Sequence, residues 1–235
     1  MRPVPLTDIA ALPGIAHAAA SARDAVDVVL RQPSARRQAA VVAATSVVRG
    51  ASASARLEGA EPDRTDDPLV LGALRATGAA VEMAGLWARA PLQVLARLHL
   101  LAAADLADRD AVGRPVDAEA ARRLTGLVRD VGTSVASEVP AMVVAAVVHA
   151  EVAEAFAPAG GVVGRAAERV VLVSTGLDPS AMLVPEVGHL AEQERYPLDR
   201  RAFAGGGPLA WGRWVERCCR AYTRGAEETA AIVSG

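Results

Sequence analysis

Two glycines and an arginine are the residues of this chain whose types and spacing best suit chemistry. Gly160 and Gly161 close the stretch Phe156-Ala-Pro-Ala-Gly-Gly161, and a helix predicted from Val162 carries Arg165 and Arg169 in its first turns. A glycine-rich loop that opens a helix leaves backbone N–H groups free, and the helix dipole favours negative charge there. An arginine one turn on adds a planar fork that matches phosphate oxygens. The chemistry on offer is anion binding. The same residues also suit a helix hairpin that needed a tight turn, with its arginines in solvent, and that reading stays open here.

A second group is Ser54-Ala-Arg-Leu-Glu58-Gly59, at the end of a predicted helix. Gly59 suits the left-handed position that closes many helices. Glu58 is badly placed, because an acid at a helix C-terminus opposes the dipole by about 0.3–1 kcal/mol. Either a cation faces it or solvent does. The four histidines, His17, His99, His149 and His189, lie outside the glycine loop, and His149 reads as a packing residue on the preceding helix. Cys218 and Cys219 are adjacent, so a disulfide framework is not expected. They read as small apolar filler on a helix.

The elements that must position these groups follow from composition. The chain has 235 residues, 52% of them hydrophobic but only 3% aromatic, so its core must be built from Ala, Val and Leu. Small side chains suit closely packed helices. The net charge of −2 argues against nucleic-acid binding. All 25 basic residues are arginine, which fits codon preference better than 25 functional choices, so each arginine is weak evidence by itself. The N-terminal stretch lacks the apolar run of a signal peptide, and no window of about 18 uncharged apolar residues suggests a membrane span. The cytoplasm is the expected compartment.

In chain order, residues 1–14 read as an extended lead-in, and Ile15–Arg31 as a helix with Ala16, Ala20, Val26, Val29 and Leu30 on one side. Helices are then predicted over 35–57, 69–89, 91–106, 117–130, 141–155 and 162–177. Residues 111–116 read as a turn or short hairpin flap, and 132–137 as a loop. Asp178 and Pro179 are expected to start a helix over 180–194, residues 196–208 to be irregular, and Leu209–Val233 to close the chain as an amphipathic helix. Its Trp211, Trp214 and Tyr222 are expected to seal the core. The result is an all-α bundle of eight or nine helices. It divides into a lead-in and helix over 1–34, a core over 35–177 that includes the helix 35–58, and C-terminal helices over 178–235, together one domain.

Taken together, these residues resemble the Fic family, whose members transfer AMP or related groups from a nucleotide to a hydroxyl. The family's core motif, H-P-F-x-(D/E)-G-N-G-R-x-x-R, lies between two helices. Laid without a gap on Glu154–Arg165, which reads E-A-F-A-P-A-G-G-V-V-G-R, it is matched at Phe156, Gly161 and Arg165. Many members also carry an inhibitory helix with (S/T)-x-x-x-E-(G/N), and Ser54 to Gly59 fits it at Ser54, Glu58 and Gly59. Leu95-Ala-Arg-Leu-His99 and Val112-Gly113-Arg114 are similar to the helix and turn that precede the core.

The resemblance implies a Fic-like helical fold, a nucleotide partner (ATP with Mg²⁺), phosphate binding at Gly160, Gly161 and Arg165, and an inhibitory contact from Glu58 to Arg165. The departures imply impaired catalysis. Glu154 stands at the position of the histidine that takes the hydroxyl proton, Pro158 at that of the acid that holds Mg²⁺, Gly160 at that of the Asn, and Val162 at that of the first arginine. A register shifted to place Pro158 on the motif proline puts Ala157 at the histidine position, so neither register supplies the base. Losing a general base costs about 10²–10⁴-fold. No metal-binding residue is assigned. Three readings follow: a Fic-like pseudoenzyme acting as a binding or regulatory module, an active transferase rearranged around Glu154 or His149, or an unrelated all-α interaction protein. A protein partner or a homodimer is left open.

Overall fold

The computed structural model describes residues 6–61, 64–132 and 138–235, among which there are thirteen α-helices and no strand. In chain order they are α1 Leu6–Ala10, α2 Ile15–Leu30, α3 Pro33–Arg37, α4 Ala39–Leu57, α5 Pro68–Gly78, α6 Ala80–Trp87 and α7 Pro91–Ala103. There follow α8 Ala118–Gly132, α9 Ala141–Ala155, α10 Gly160–Ser174, α11 Pro185–Ala191, α12 Tyr196–Gly205 and α13 Pro208–Ser234.

The hairpin of α9 and α10 is the centre of the molecule. Every residue of α10 from Gly160 to Leu172 is buried, as is every residue of α9 from Met142 to Ala153. Two glycines, which carry no side chain, let these helices meet. A methyl added at Gly160 would lie 2.4 Å from the Ala153 carbonyl oxygen, and one at Gly164 would lie 2.6 Å from that of His149. Positions four apart share a helix face, so the two glycines form one strip on which α9 rests. Around the hairpin stand α4, α5, α6 and α7 on one side, and α12 and α13 on another. Trp214 of α13 is fully buried and donates its indole N–H to the Ala146 carbonyl at 2.8 Å, while Tyr222 is equally buried and Trp211 only partly. The low aromatic content is thus concentrated where it seals the core.

α4 ends as its residues dictate. Gly59 takes φ +95°, its N–H bonds to the Arg56 carbonyl at 3.0 Å, and the Ala60 N–H reaches back to Ala55 at 3.1 Å. This is the double closure that glycine at the C′ position permits, and it holds Glu58 at the helix end.

The all-α class holds, with more and shorter helices than the eight or nine expected. The helix expected over 35–57 is two, α3 and α4, because Gln38 leaves helical geometry at φ −103°, ψ 12°. The stretch expected as one helix over 69–89 is α5 and α6, bent by 49°. The helix expected over 180–194 is shorter and starts later, as α11. Both Asp178 carboxylate oxygens are taken by backbone N–H groups, Oδ1 by Met182 and Oδ2 by Leu183, which folds 178–184 into a turn with Pro179 and Ser180 exposed, and Pro185 starts α11 instead. Residues 196–205, expected to be irregular, are α12. The flap expected at 111–116 is absent: Gly113 at φ +80° turns the chain, and the Val116 N–H bonds to the Ala155 carbonyl rather than to a neighbouring strand. The buried face of α2 is Ile15, Ala19, Ala22, Val26 and Val29, whereas Ala16 and Ala20 are exposed. Residues 6–10 of the expected lead-in are helical, while residues 1–5 and the expected loop at 133–137 lie outside the described residues. No single helix among the described residues is long and apolar enough to cross a membrane.

Candidate functional site

The loop Phe156–Ala159 joins α9 to α10 through a cis Ala157–Pro158 peptide and a left-handed Ala159 at φ 62°. Two contacts with His99 hold it from outside. Phe156 packs its ring on His99 of α7 at 4.8 Å between centroids. His99 Nδ1 accepts the Gly113 N–H at 3.0 Å, so its proton sits on Nε2, which donates to the Pro158 carbonyl at 3.1 Å. One imidazole therefore ties the helix α7, the turn at Gly113 and the glycine loop together. Burial pushes its pKa down, only partly offset by the bond to Pro158, which favours this neutral form.

Arg165 lies one turn into α10 and is fully buried. Its guanidinium donates to Ser54 Oγ at 2.9 Å, to the Ser54 carbonyl at 2.9 Å, to the Tyr196 hydroxyl at 2.6 Å, and to Glu58 Oε1 at 2.9 Å. The reading of this arginine as solvent-exposed is overturned: α4 and α12 cover it completely. The cation that faces Glu58 is Arg165, whose charge meets the acid at the end of α4. Burial pushes the Glu58 carboxyl up, but the ion pair and hydrogen bond with Arg165, joined by the charge of Arg200, outweigh it and hold the group below its ordinary range.

Glu58 does more than pair with Arg165. A methyl built on Gly161 would lie 2.0 Å from Glu58 Oε1 and 2.9 Å from Arg200 Nη1. The carboxylate thus rests against the bare backbone at the N-terminus of α10, the place where a helix favours an anion. Arg200, from α12, was missed in the sequence because the stretch that carries it reads as irregular. It approaches Glu154 at 3.3 Å from Nε, and its buried Nε and Nη1 have no hydrogen-bond partner. Its guanidinium and that of Arg165 both lie over the Tyr196 ring, 5.8 Å and 5.5 Å from the centroid.

The residues singled out in the sequence are therefore brought together, apart from those that lie deeper. Ser54, Glu58, Gly161 and Arg165 meet at one point, Gly160 packs against α9, Phe156 packs beneath the loop, and Glu154 stands at the edge, held by Arg200. His149 sits below them, fully buried, with Nε2 2.8 Å from the Tyr196 hydroxyl. Burial drives its pKa down to about 4 against the opposing pull of Glu168. Arg169 is also fully buried, in a two-pronged pair with Glu186 at 2.8 and 3.1 Å.

No family model and no curated protein matches this chain. Solved structures do. A Fic family protein from Desulfovibrio desulfuricans G20 matches over 93% of this chain and 74% of its own, with a TM-score of 0.70 at 17% sequence identity. Residues 134–508 of Fic-1 from C. elegans match over 94% of this chain and 73% of that one, with a TM-score of 0.67 at 13% identity. The chain has the fold of Fic proteins, and at such identities its chemistry must be read from its own residues.

Proposed function

We propose that this Fic-fold chain is a phosphate-binding module that has lost group transfer and is held shut by its own Glu58. The observation that carries the reading is the carboxylate of Glu58 lying against Gly161 at the N-terminus of α10 and 2.9 Å from Arg165. A carboxylate in that position stands where the oxygens of a phosphate would be held, by the free N–H groups of a helix start and by arginine. With Glu58 displaced, Arg165 and Arg200 would flank the same point, which suits a polyphosphate such as that of ATP.

Transfer lacks its parts. A hydroxyl nucleophile needs a base, and the residue at that position is Glu154, which is engaged by Arg200 at 3.3 Å. A carboxylate beside a polyphosphate also repels the substrate it would serve. His149 is no substitute, being sealed in the core and bonded to Tyr196. The donor set does not fit Mg²⁺ either. The loop position for a metal-binding acid is Pro158, whose carbonyl is already occupied by His99. Hard divalent cations want several oxygen ligands with carboxylates among them, so no step through a metal is assigned.

The test is calorimetry with ATP and Mg²⁺ on the wild-type chain and on Glu58→Gly. Binding by the variant but not by wild type is expected. Absence of binding in both, with the variant folded, would refute the phosphate site and leave a helical interaction module. Transfer of label from ATP to protein by Glu58→Gly would refute the loss of catalysis.

A further inference from the structure

Beneath the phosphate corner, and separate from its chemistry, four helices bring potential metal ligands to one point. His149 of α9, Glu168 of α10, His189 of α11 and Cys218 of α13 are all fully buried, and their ligand atoms lie within 4.8 Å of one another. Glu168 Oε2 is 3.2 Å from His149 Nδ1 and 3.0 Å from His189 Nε2. In a tetrahedron with bonds of about 2.0–2.1 Å, neighbouring N and O ligands stand roughly 3.3–3.4 Å apart, so these spacings need to change by only a few tenths of an ångström.

The hydrogen bonds do not fully account for the cluster. His149 Nδ1 faces Glu168 yet has no hydrogen-bond partner, in a side chain with no solvent exposure. Glu168 is a buried carboxylate whose polar contacts among the described residues are His149, His189 and the Tyr222 hydroxyl, which donates at 2.7 Å. Its arginine neighbours are engaged elsewhere, Arg165 with Glu58 and Arg169 with Glu186. Among the described residues, no arginine forms an ion pair with this buried carboxylate. His149 has an outer contact of the form a metal ligand needs. With Nδ1 turned to a metal, His149 has its other ring nitrogen 2.8 Å from Tyr196, the usual means of fixing a ligating imidazole.

We propose that His149, Glu168, His189 and Cys218 form a structural zinc site that staples α9, α10, α11 and α13. Two imidazoles, a carboxylate and a thiolate suit zinc, and four protein ligands leave no open position for catalysis. On binding, the Cys218 thiol releases its proton to solvent and the sulfur bonds to zinc. The dication, the thiolate and the Glu168 carboxylate then sum to zero charge. Cys219, next in sequence, is outside the cluster and serves as the control.

The experiment uses the full chain without a histidine tag, produced with zinc in the medium and then dialysed. Elemental analysis is expected to give about one zinc per chain. Refolding from denaturant with Co²⁺ is expected to give the visible bands of a four-coordinate site and a near-ultraviolet sulfur-to-cobalt band. That band is expected to persist in Cys219→Ser and to vanish in Cys218→Ser. A folded wild-type chain with only trace metal, whose melting temperature is unmoved by refolding with zinc, would overturn the proposal. So would a sulfur-to-cobalt band that survives Cys218→Ser. The wild-type measurement decides even where a variant fails to fold.

Discussion

Replacing Glu58 with Gln keeps the shape of the side chain and one acceptor oxygen while removing the charge. The gross attraction across the 2.9 Å contact with Arg165 is about 4–6 kcal/mol at an effective dielectric of 20. Most of it does not survive as net stability, because the Glu58 side chain keeps 22% of its exposure and would be hydrated if released. Hydrogen bonds to charged groups are worth about 1.5–3 kcal/mol net. Arg165 retains Ser54 and Tyr196, so the loss belongs near the middle of that range, about 2 kcal/mol. For a chain of this size that lowers the melting temperature by about 4–8 °C. The assay is thermal unfolding of wild type and Glu58→Gln at neutral pH and low salt. Millimolar tripolyphosphate is then expected to restore most of the loss in the variant and to leave wild type unmoved, since a ligand of the folded state stabilises it by mass action. An unchanged melting temperature in Glu58→Gln would refute the energetic account of the pair. A variant destabilised but indifferent to tripolyphosphate would refute the phosphate site.

Acidification should act on the same contact. The folded Glu58 carboxyl lies below its ordinary value of 4.5, so its contribution to stability is fully present above that value and is lost as pH falls through the folded pKa. The melting-temperature gap between wild type and Glu58→Gln is therefore expected to be constant from pH 7 to about 5.5 and to narrow below about 4.5; a gap that widened on acidification would contradict it. Gly164→Ala must push a methyl against the His149 backbone at 2.6 Å, and a loss of about 1–3 kcal/mol is expected in chemical denaturation. Gly161→Ala meets first the ends of Glu58 and Arg200, which can swing away, so its cost should resemble that of Glu58→Gln and fail to add to it in the double variant. Breaking the buried Arg169–Glu186 pair with Glu186→Gln should cost about 3–5 kcal/mol, whereas exchanging both for apolar residues of similar volume should cost far less; equal losses would show that the charges are not the cause.

Some of this was legible along the chain because it depends on local chemistry. The uninterrupted apolar run from Ala141 to Val148 suggests an element packed on all sides, and α9 is that element, a helix buried from Met142 to Ala153. Gly59 after a helical stretch implies a left-handed closure whatever lies around it, while Glu58 at that end left open whether a cation or solvent faces it. The spacing within Ser54–Gly59 and within Glu154–Arg165 was enough to suggest the Fic fold, because both segments owe their form to short-range backbone geometry.

Tertiary structure decided what periodicity cannot encode. The start of α11 was misplaced because Asp178 and Pro179 look like a helix opening until the turn at Leu183 takes both carboxylate oxygens. Helix α12 was read as irregular, since Pro197 and the Gly205–Gly207 run outweigh any pattern in so short a segment. With α12 went Tyr196 and Arg200, the residues that cover Arg165 and reach Glu154. Nothing in the spacing of residues 149, 168, 189 and 218 marks them as neighbours. They lie on four different helices, and only the packing of glycines such as Gly164 and Gly188 against neighbouring backbone brings those helices close enough for the side chains to meet. Local sequence determines which segments turn, cap and bury. Which charges then face one another depends on how whole helices cross, a sum over many weak contacts that no single stretch carries.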